Sequence, residues 1–164
     1  VSPTWKSGPG EGKTVSWTGG VGGKGNEGVA GYVKQLPNSI GYVEYAYVVQ
    51  NKMTYAMLQN AAGQFVAPSA DSFAAAAGTA DWKNAKDFNL VMTNAPGAQA
   101  YPIAASTFVL LPKQPKDKAK SDASVAFFKY ALEHGQDQAN KLDYVPLPND
   151  LVQQIESYIS QNLK

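Results

Sequence analysis

Between Pro102 and Pro112 lies the run Ile103–Leu111 (IAASTFVLL), the most strand-like apolar stretch of the chain. Its β-branched and aromatic residues suit a pleated surface, and the flanking prolines mark where ladder pairing should stop. A strand of this kind needs neighbours along its edges, because unpaired N–H and C=O rows are otherwise left open. The fold must either supply those neighbours or tolerate an exposed edge.

Around this run the pattern mixes helix and strand. Residues 1–13 (VSPTWKSGPGEGK), rich in Gly and Pro, are expected to be loop, with Thr14–Trp17 a short strand. The cluster Gly19-Gly20-Val21-Gly22-Gly23-Lys24-Gly25 ends at Asn26, a good N-cap, and Glu27 is a good first-turn anion. Val29, Val33 and Leu36 recur at helical spacing and Pro37 stops the helix. Gly28 and Gly31 inside it each cost up to about 1 kcal/mol of helix propensity, which points to close packing against a neighbouring backbone. Ile40–Tyr45 has strand composition, continued by Ala46–Asn51 as strand or short helix. Tyr55–Gln59 and Gln64–Val66 flank Asn60-Ala61-Ala62-Gly63 as a hairpin. Asp71–Ala77 reads as a helix capped by Ser69 or Asp71, and residues 80–96 are ambiguous. Beyond the exposed connection 113–120, Ser121–Gly135 is a helix with Val125, Phe128 and Leu132 on one face. Residues 136–142 carry its direction on. Pro148 opens a last amphipathic helix through Leu151, Ile155, Ile159 and Leu163. This order implies α/β or α+β.

A length of 164 residues fits one medium domain or two small lobes. All 14 basic residues are lysine, balanced to a net charge of +1, so the basic footprint of a nucleic-acid binder is missing. The absence of arginine also removes the side chain best suited to bidentate capture of an oxyanion. With no cysteine, neither a disulfide nor a thiolate metal site can form. No apolar stretch approaches the roughly 18 residues of a membrane span. The opening Val1-Ser2-Pro3-Thr4-Trp5 is not a signal peptide and reads as the interior of a longer chain.

Gly20-Val21-Gly22-Gly23-Lys24-Gly25 matches G-x-G-x-x-G, with Glu44 near the place of a ribose-binding acid. That gives an alternative reading as a dinucleotide-binding βαβ unit of an enzyme. Against it stands the short, polar strand before the loop. A Walker A loop ending at Lys24 fails, because it would need Gly at Thr18 and Ser or Thr at Gly25. What survives is a glycine loop that either presents free N–H groups to an anion or packs tightly on its neighbour. His134, the single histidine, is expected to be structural at a helix end, and no catalytic or metal-binding set emerges. The lysines 113, 116, 118 and 120 are expected on a solvated surface. Of Tyr42, Tyr45 and Tyr47, about half should face the core by strand alternation.

Three blocks together carry a resemblance: GGKGNEGVAGYVKQLPNSIGYVEYAYVVQNK (Gly22–Lys52), YPIAASTFVLL (Tyr101–Leu111) and FFKYALEHGQDQANKLDYVPLPNDLVQQIESYI (Phe127–Ile159). In this order and spacing the chain resembles the C-terminal half of the periplasmic phosphate-binding proteins of ABC-type phosphate importers. The resemblance implies an α/β chain, part of a two-lobed class II periplasmic binding protein fold with sheets flanked by helices, incomplete without its N-terminal half. Residues 1–100 would be the second part of lobe two and 101–164 the returning part of lobe one, with a hinge near Ala100–Pro102. It implies capture of inorganic phosphate in the periplasm and delivery to ABC permease subunits, with no catalysis and no cofactor. The family's R-S-D-G-S-G-T-type anion motif is not present, so no direct phosphate ligand carries over. Only Gly25, Asn26 and Tyr42 are placed beside the cleft. Its own N-terminal fragment, or a second copy, is the expected partner for the open strand. An adhesive relative and a sulfate- or molybdate-type binder are the remaining rivals.

Overall fold

Ser2 accepts a hydrogen bond from the Trp5 N–H while Pro3 takes the first helical position, and this pairing starts a helix where loop was expected. In the computed structural model, which describes residues 2–12 and 14–163, α1 spans Pro3–Ser7 and is held by Trp5 Nε1 donating to the Gly10 carbonyl at 2.7 Å. Val1 and Lys13, also expected in that loop, lie outside the described residues. Thr14–Trp17 forms no strand; Trp17 instead meets Trp5 edge-on at 5.5 Å.

Helix α2 spans Gly25–Gln35. Its buried contact is Ala30, with Val29 and Val33 half-buried and Leu36 exposed. Residues 40–44 form no ladder and the chain turns into α3, Tyr45–Gln50, so the expected strand is only an approach to a helix. Gly41 packs so closely on α2 that a Cβ there would lie 2.8 Å from methyls of both Val29 and Val33.

The hairpin is present, in miniature. Strands β1 (Leu58–Gln59) and β2 (Phe65–Val66) pair antiparallel with Leu58 opposite Val66. Helix α4, Ala70–Gly78, begins with a reciprocal capping box between Ser69 and Ser72, as the serine predicted. The ambiguous stretch resolves into 3₁₀ turns at Trp82–Asn84 and Lys86–Phe88. Helices α5 (Lys118–His134), α6 (Gln136–Lys141) and α7 (Asn149–Asn162) complete the chain.

Two small apolar clusters hold these parts. Ala77, Trp82, Met92 and Leu151 form one, and Ala76, Ala95 and Ala100 the other, with Ala104 packed against both. Leu151 comes from α7, so the last helix shares its core with residues before position 100. Trp82 Nε1 donates 2.8 Å to the Ala77 carbonyl, satisfying the one polar atom of a buried ring. The result is helix-rich with a small sheet, compatible with a partial α/β fold; among the described residues the sheet is the two-stranded β1–β2 pair. Residues 103–111, which begin with a bend at Ile103, form no ladder.

Candidate functional site

The glycine loop leads into α2 through Gly25, whose φ of +67° a side chain would resist. Asn26 was expected to cap this helix. Lys24 stands at the cap position instead, without a side-chain bond, and Asn26 lies within the first turn. Its Oδ1 turns outward to accept the backbone N–H of Glu44 at 2.9 Å, tying the 40–44 segment to the helix start. Of the three residues expected beside a cleft, Asn26 is tied to this segment, Gly25 opens the helix just before it, and Tyr42 within the segment is 75% exposed. Val43 and Tyr45 are half-buried, so the alternation read for the tyrosines survives in part.

The same loop answers the choice between anion cradle and tight packing. A Cβ on Gly23 would lie 2.5 Å from the Val29 nitrogen and 2.7 Å from the Gly28 carbonyl carbon, so the loop backbone rests directly on α2. Gly23 and Gly28 are therefore small because two backbones touch there. The dinucleotide reading finds no support: no strand precedes the loop among the described residues, and Glu44 sits at the N-cap of α3 rather than at a strand end.

Between α2 and α3 lies an open hollow of about 200 Å³, lined by Glu27, Ala30, Gly31, Lys34, Tyr47 and Asn51. Tyr47 donates to Glu27 Oε1 at 2.7 Å and Lys34 Nζ donates to Asn51 Oδ1 at 2.9 Å. The Tyr47 hydroxyl holds the Glu27 carboxyl below its usual range, and Glu27 in turn raises the phenol. With an ionised carboxylate on its wall, this hollow opposes a second anion. It is a helix–helix seam rather than an oxyanion cage.

His134 ends α5 with its ring 4.8 Å from Tyr130 and 3.6 Å from the Glu133 carboxylate. Among the lysines, Lys113 is 3.4 Å from Asp87, Lys118 is 3.0 Å from Asp122 and Lys120 is 3.4 Å from Asp117, all on exposed surface.

Sequence reading missed two pivots. Asn60 is buried beneath the hairpin turn, where its amide nitrogen donates to the carbonyls of Gly97, Ala98 and Ala100. Asp87 accepts from Tyr158 of α7 and is held below the ordinary carboxylate range by that bond, with Lys113 adding to it. Only the first had a signal, an asparagine at a hairpin turn, and it suggested the turn but not the distant contact.

No protein-family model matches the chain. Individual relatives match strongly. A Phosphate-binding protein PstS of Xylella fastidiosa (strain Temecula1) is 63% identical over 164 residues, all of this chain and 45% of the relative. The protein of that name from Haemophilus influenzae is 49% identical across the whole chain, covering 49% of its own length. The one from Methanocaldococcus jannaschii is 34% identical over 92% of the chain and 43% of the relative. The chain thus spans about half the length of the curated relatives it matches. Aligned along its full length at up to 63% identity, it belongs with the PstS phosphate-binding proteins and corresponds to about half of one.

Proposed function

We propose that this chain is the C-terminal half of a periplasmic protein that captures inorganic phosphate and hands it to an ABC permease, as a binder and not an enzyme. The observation that carries the reading is the match along all 164 residues, at 63% and 49% identity, to relatives named phosphate-binding. Among the described residues, no helix is long and apolar enough to cross a membrane.

A dehydrated oxyanion must be met by several converging donors, since each unpaired group in such a site costs about 1–3 kcal/mol. This chain has no arginine, and the hollow between α2 and α3 carries a carboxylate. The donors therefore belong chiefly to the other half, and this half supplies lobe structure and cleft wall. Gly25, Asn26 and Tyr42 lie at that wall. In this reading residues 1–100 are the second part of lobe two and 101–164 return to lobe one. The crossing follows Ala100, which is fully buried, and Tyr101, whose N–H is held 3.1 Å from the Ser72 carbonyl.

The test is calorimetric. The 164-residue chain alone is expected to show weak or undetectable heat with phosphate. A single-chain hybrid, in which it replaces the matched part of the Xylella relative, is expected to bind phosphate one-to-one and to prefer it over sulfate and molybdate. A folded hybrid that ignores phosphate, or prefers another oxyanion, would overturn the reading.

A further inference from the structure

We propose that Tyr158 is a positioning residue for phosphate binding: its hydroxyl clasps Asp87 and fixes α7 at a second point against the segment that precedes the crossing at position 100. The proposal rests on the reading of this chain as half of a two-lobed phosphate binder and adds the contact that sets how its two parts are held.

The first point of attachment is apolar. Leu151, 3% exposed, sits with Ala77, Trp82 and Met92, and Ile155 packs on the same cluster. A helix held around one buried side chain is still free to swing. Tyr158 follows Leu151 by seven residues, two helical turns or about 10 Å, and so emerges on the same face. There its hydroxyl donates to Asp87 and its ring meets Phe88 edge-on at 5.4 Å. Lys113 Nζ closes the group, 3.4 Å from the Asp87 carboxylate and 5.5 Å from the centre of the Tyr158 ring. Two points two turns apart define a direction, so α7 is oriented only while both hold.

The turn that receives Tyr158 supplies the second observation. Asp87 and Phe88 are consecutive non-glycine residues with φ of 52° and 56°, a conformation that costs energy and persists only where its surroundings hold it. Phe88 also packs on the Leu151 cluster, so this strained turn touches both points of attachment. When Tyr158 lets go, the turn is free to relax and to withdraw its carboxylate from α7. The side chains of Lys113 and Asp87 are 55% and 48% exposed, so water competes for their bonds, whereas the Leu151 contact is dry. The clasp is thus the part that opens, and the apolar cluster is the pivot.

A site formed between two parts of a chain binds at the cost of whatever freedom those parts retain. Holding α7 at two points removes some of that freedom in advance. Loss of the clasp therefore weakens phosphate binding without removing any donor to the anion. The other polar bridge of this kind, from Gln50 to Asp143, is one exposed bond at 3.4 Å and offers no such hold.

The experiment uses the single-chain hybrid with the Xylella relative, carrying Tyr158→Phe or Asp87→Gly. The first removes only the hydroxyl; the second removes the carboxylate at a backbone conformation that glycine accepts. Each is expected to weaken phosphate binding about 3- to 10-fold by calorimetry. The double variant should bind no more weakly than the weaker single one, since both cut the same bond. In Tyr158→Phe, amide exchange at 85–89 should quicken while the protection of α7 is kept. A purely structural role would lower the melting temperature and leave the affinity alone. That result, tighter binding, additive losses or unchanged exchange at 85–89 overturns the proposal. A folded hybrid that takes up no phosphate before any substitution overturns the phosphate reading instead. In that case quickened exchange at 85–89 in Tyr158→Phe still upholds the clasp, and unchanged exchange sinks it as well.

Discussion

The side-chain amide of Asn60 reaches the carbonyl oxygen of Ala100 at 3.2 Å, joining the hairpin turn to the end of the 97–100 loop. The same amide also donates to Gly97 and Ala98, while Asn60 Oδ1 accepts the N–H groups of Ala62 and Gln64, both at 3.0 Å. One buried side chain thus closes its own turn and anchors the residue that precedes Tyr101.

Asn60→Ala should accordingly be among the most destabilising changes away from the apolar clusters. It strands the carbonyl of Ala100, which has no exposed surface, together with the turn donors, at a cost of about 2–4 kcal/mol. Urea denaturation measures this. Asn60→Asp should also destabilise, because it turns a carboxylate oxygen toward three carbonyls. Its folded-state pKa is then raised, so the deficit should shrink as pH falls and the group becomes neutral.

The glycines of the loop and helix should respond in opposite directions. Gly23→Ala drives a methyl into the backbone of Val29 and Gly28 and should cost about 1–3 kcal/mol or more. At Gly31 an added Cβ meets nothing within 4 Å, so Gly31→Ala should stabilise by up to about 1 kcal/mol through helix propensity. Thermal unfolding of the two variants checks both signs, and equal effects would refute the packing account of this loop.

Local signals were legible wherever one residue type decides a local geometry. Ser69 capped α4, the Asn60–Gly63 turn made a hairpin, and the four-residue spacing of Leu151, Ile155 and Ile159 made α7. Strand composition misled where pairing partners were required. Neither Ile40–Tyr45, whose last residue opens α3, nor Ile103–Leu111 finds a ladder, since a strand is completed only by its neighbours. Asn26 illustrates a different limit: its side chain suited a cap, but the helix began earlier and Glu44 claimed the oxygen. Asp87 and Phe88, with φ of 52° and 56°, carry left-handed backbone that nothing in KDF announces. As for the site, the resemblance supplied the family, while Gly25, Asn26 and Tyr42 owe their proposed role to it and not to any signal of their own.

Leu151 tests whether the two segments on either side of position 100 fold as one. It is 3% exposed and shares a core with Ala77, Trp82 and Met92. Leu151→Ala removes a buried side chain from a small cluster and should cost about 2–5 kcal/mol. If α7 and the α4 region unfold together, exchange protection in α4 should fall with that in α7. Loss confined to α7 would show that their contact is dispensable.

Acid should weaken the contact where Asp87 meets Tyr158. The phenol's hydrogen bond, followed by the attraction of Lys113, holds this carboxyl below its unfolded value. A depressed folded-state pKa contributes stability that is fully present above the unfolded value, about 3.9, and is lost as pH falls through the folded one. The contribution is therefore fully present at neutral pH and is lost only as pH falls below the unfolded value and through the folded one. Lys113 behaves in the opposite sense, because its pKa is raised by Tyr158 and Asp87, so its share is lost only at strongly alkaline pH. Asp87→Asn keeps an acceptor for Tyr158 but removes the charge. Its melting temperature should lie slightly below that of the parent at pH 7, and the gap should close on acidification. A gap that showed no narrowing as pH falls below the unfolded value would mean that packing of Phe88 on Tyr158, rather than the ionised carboxylate, holds this corner of α7.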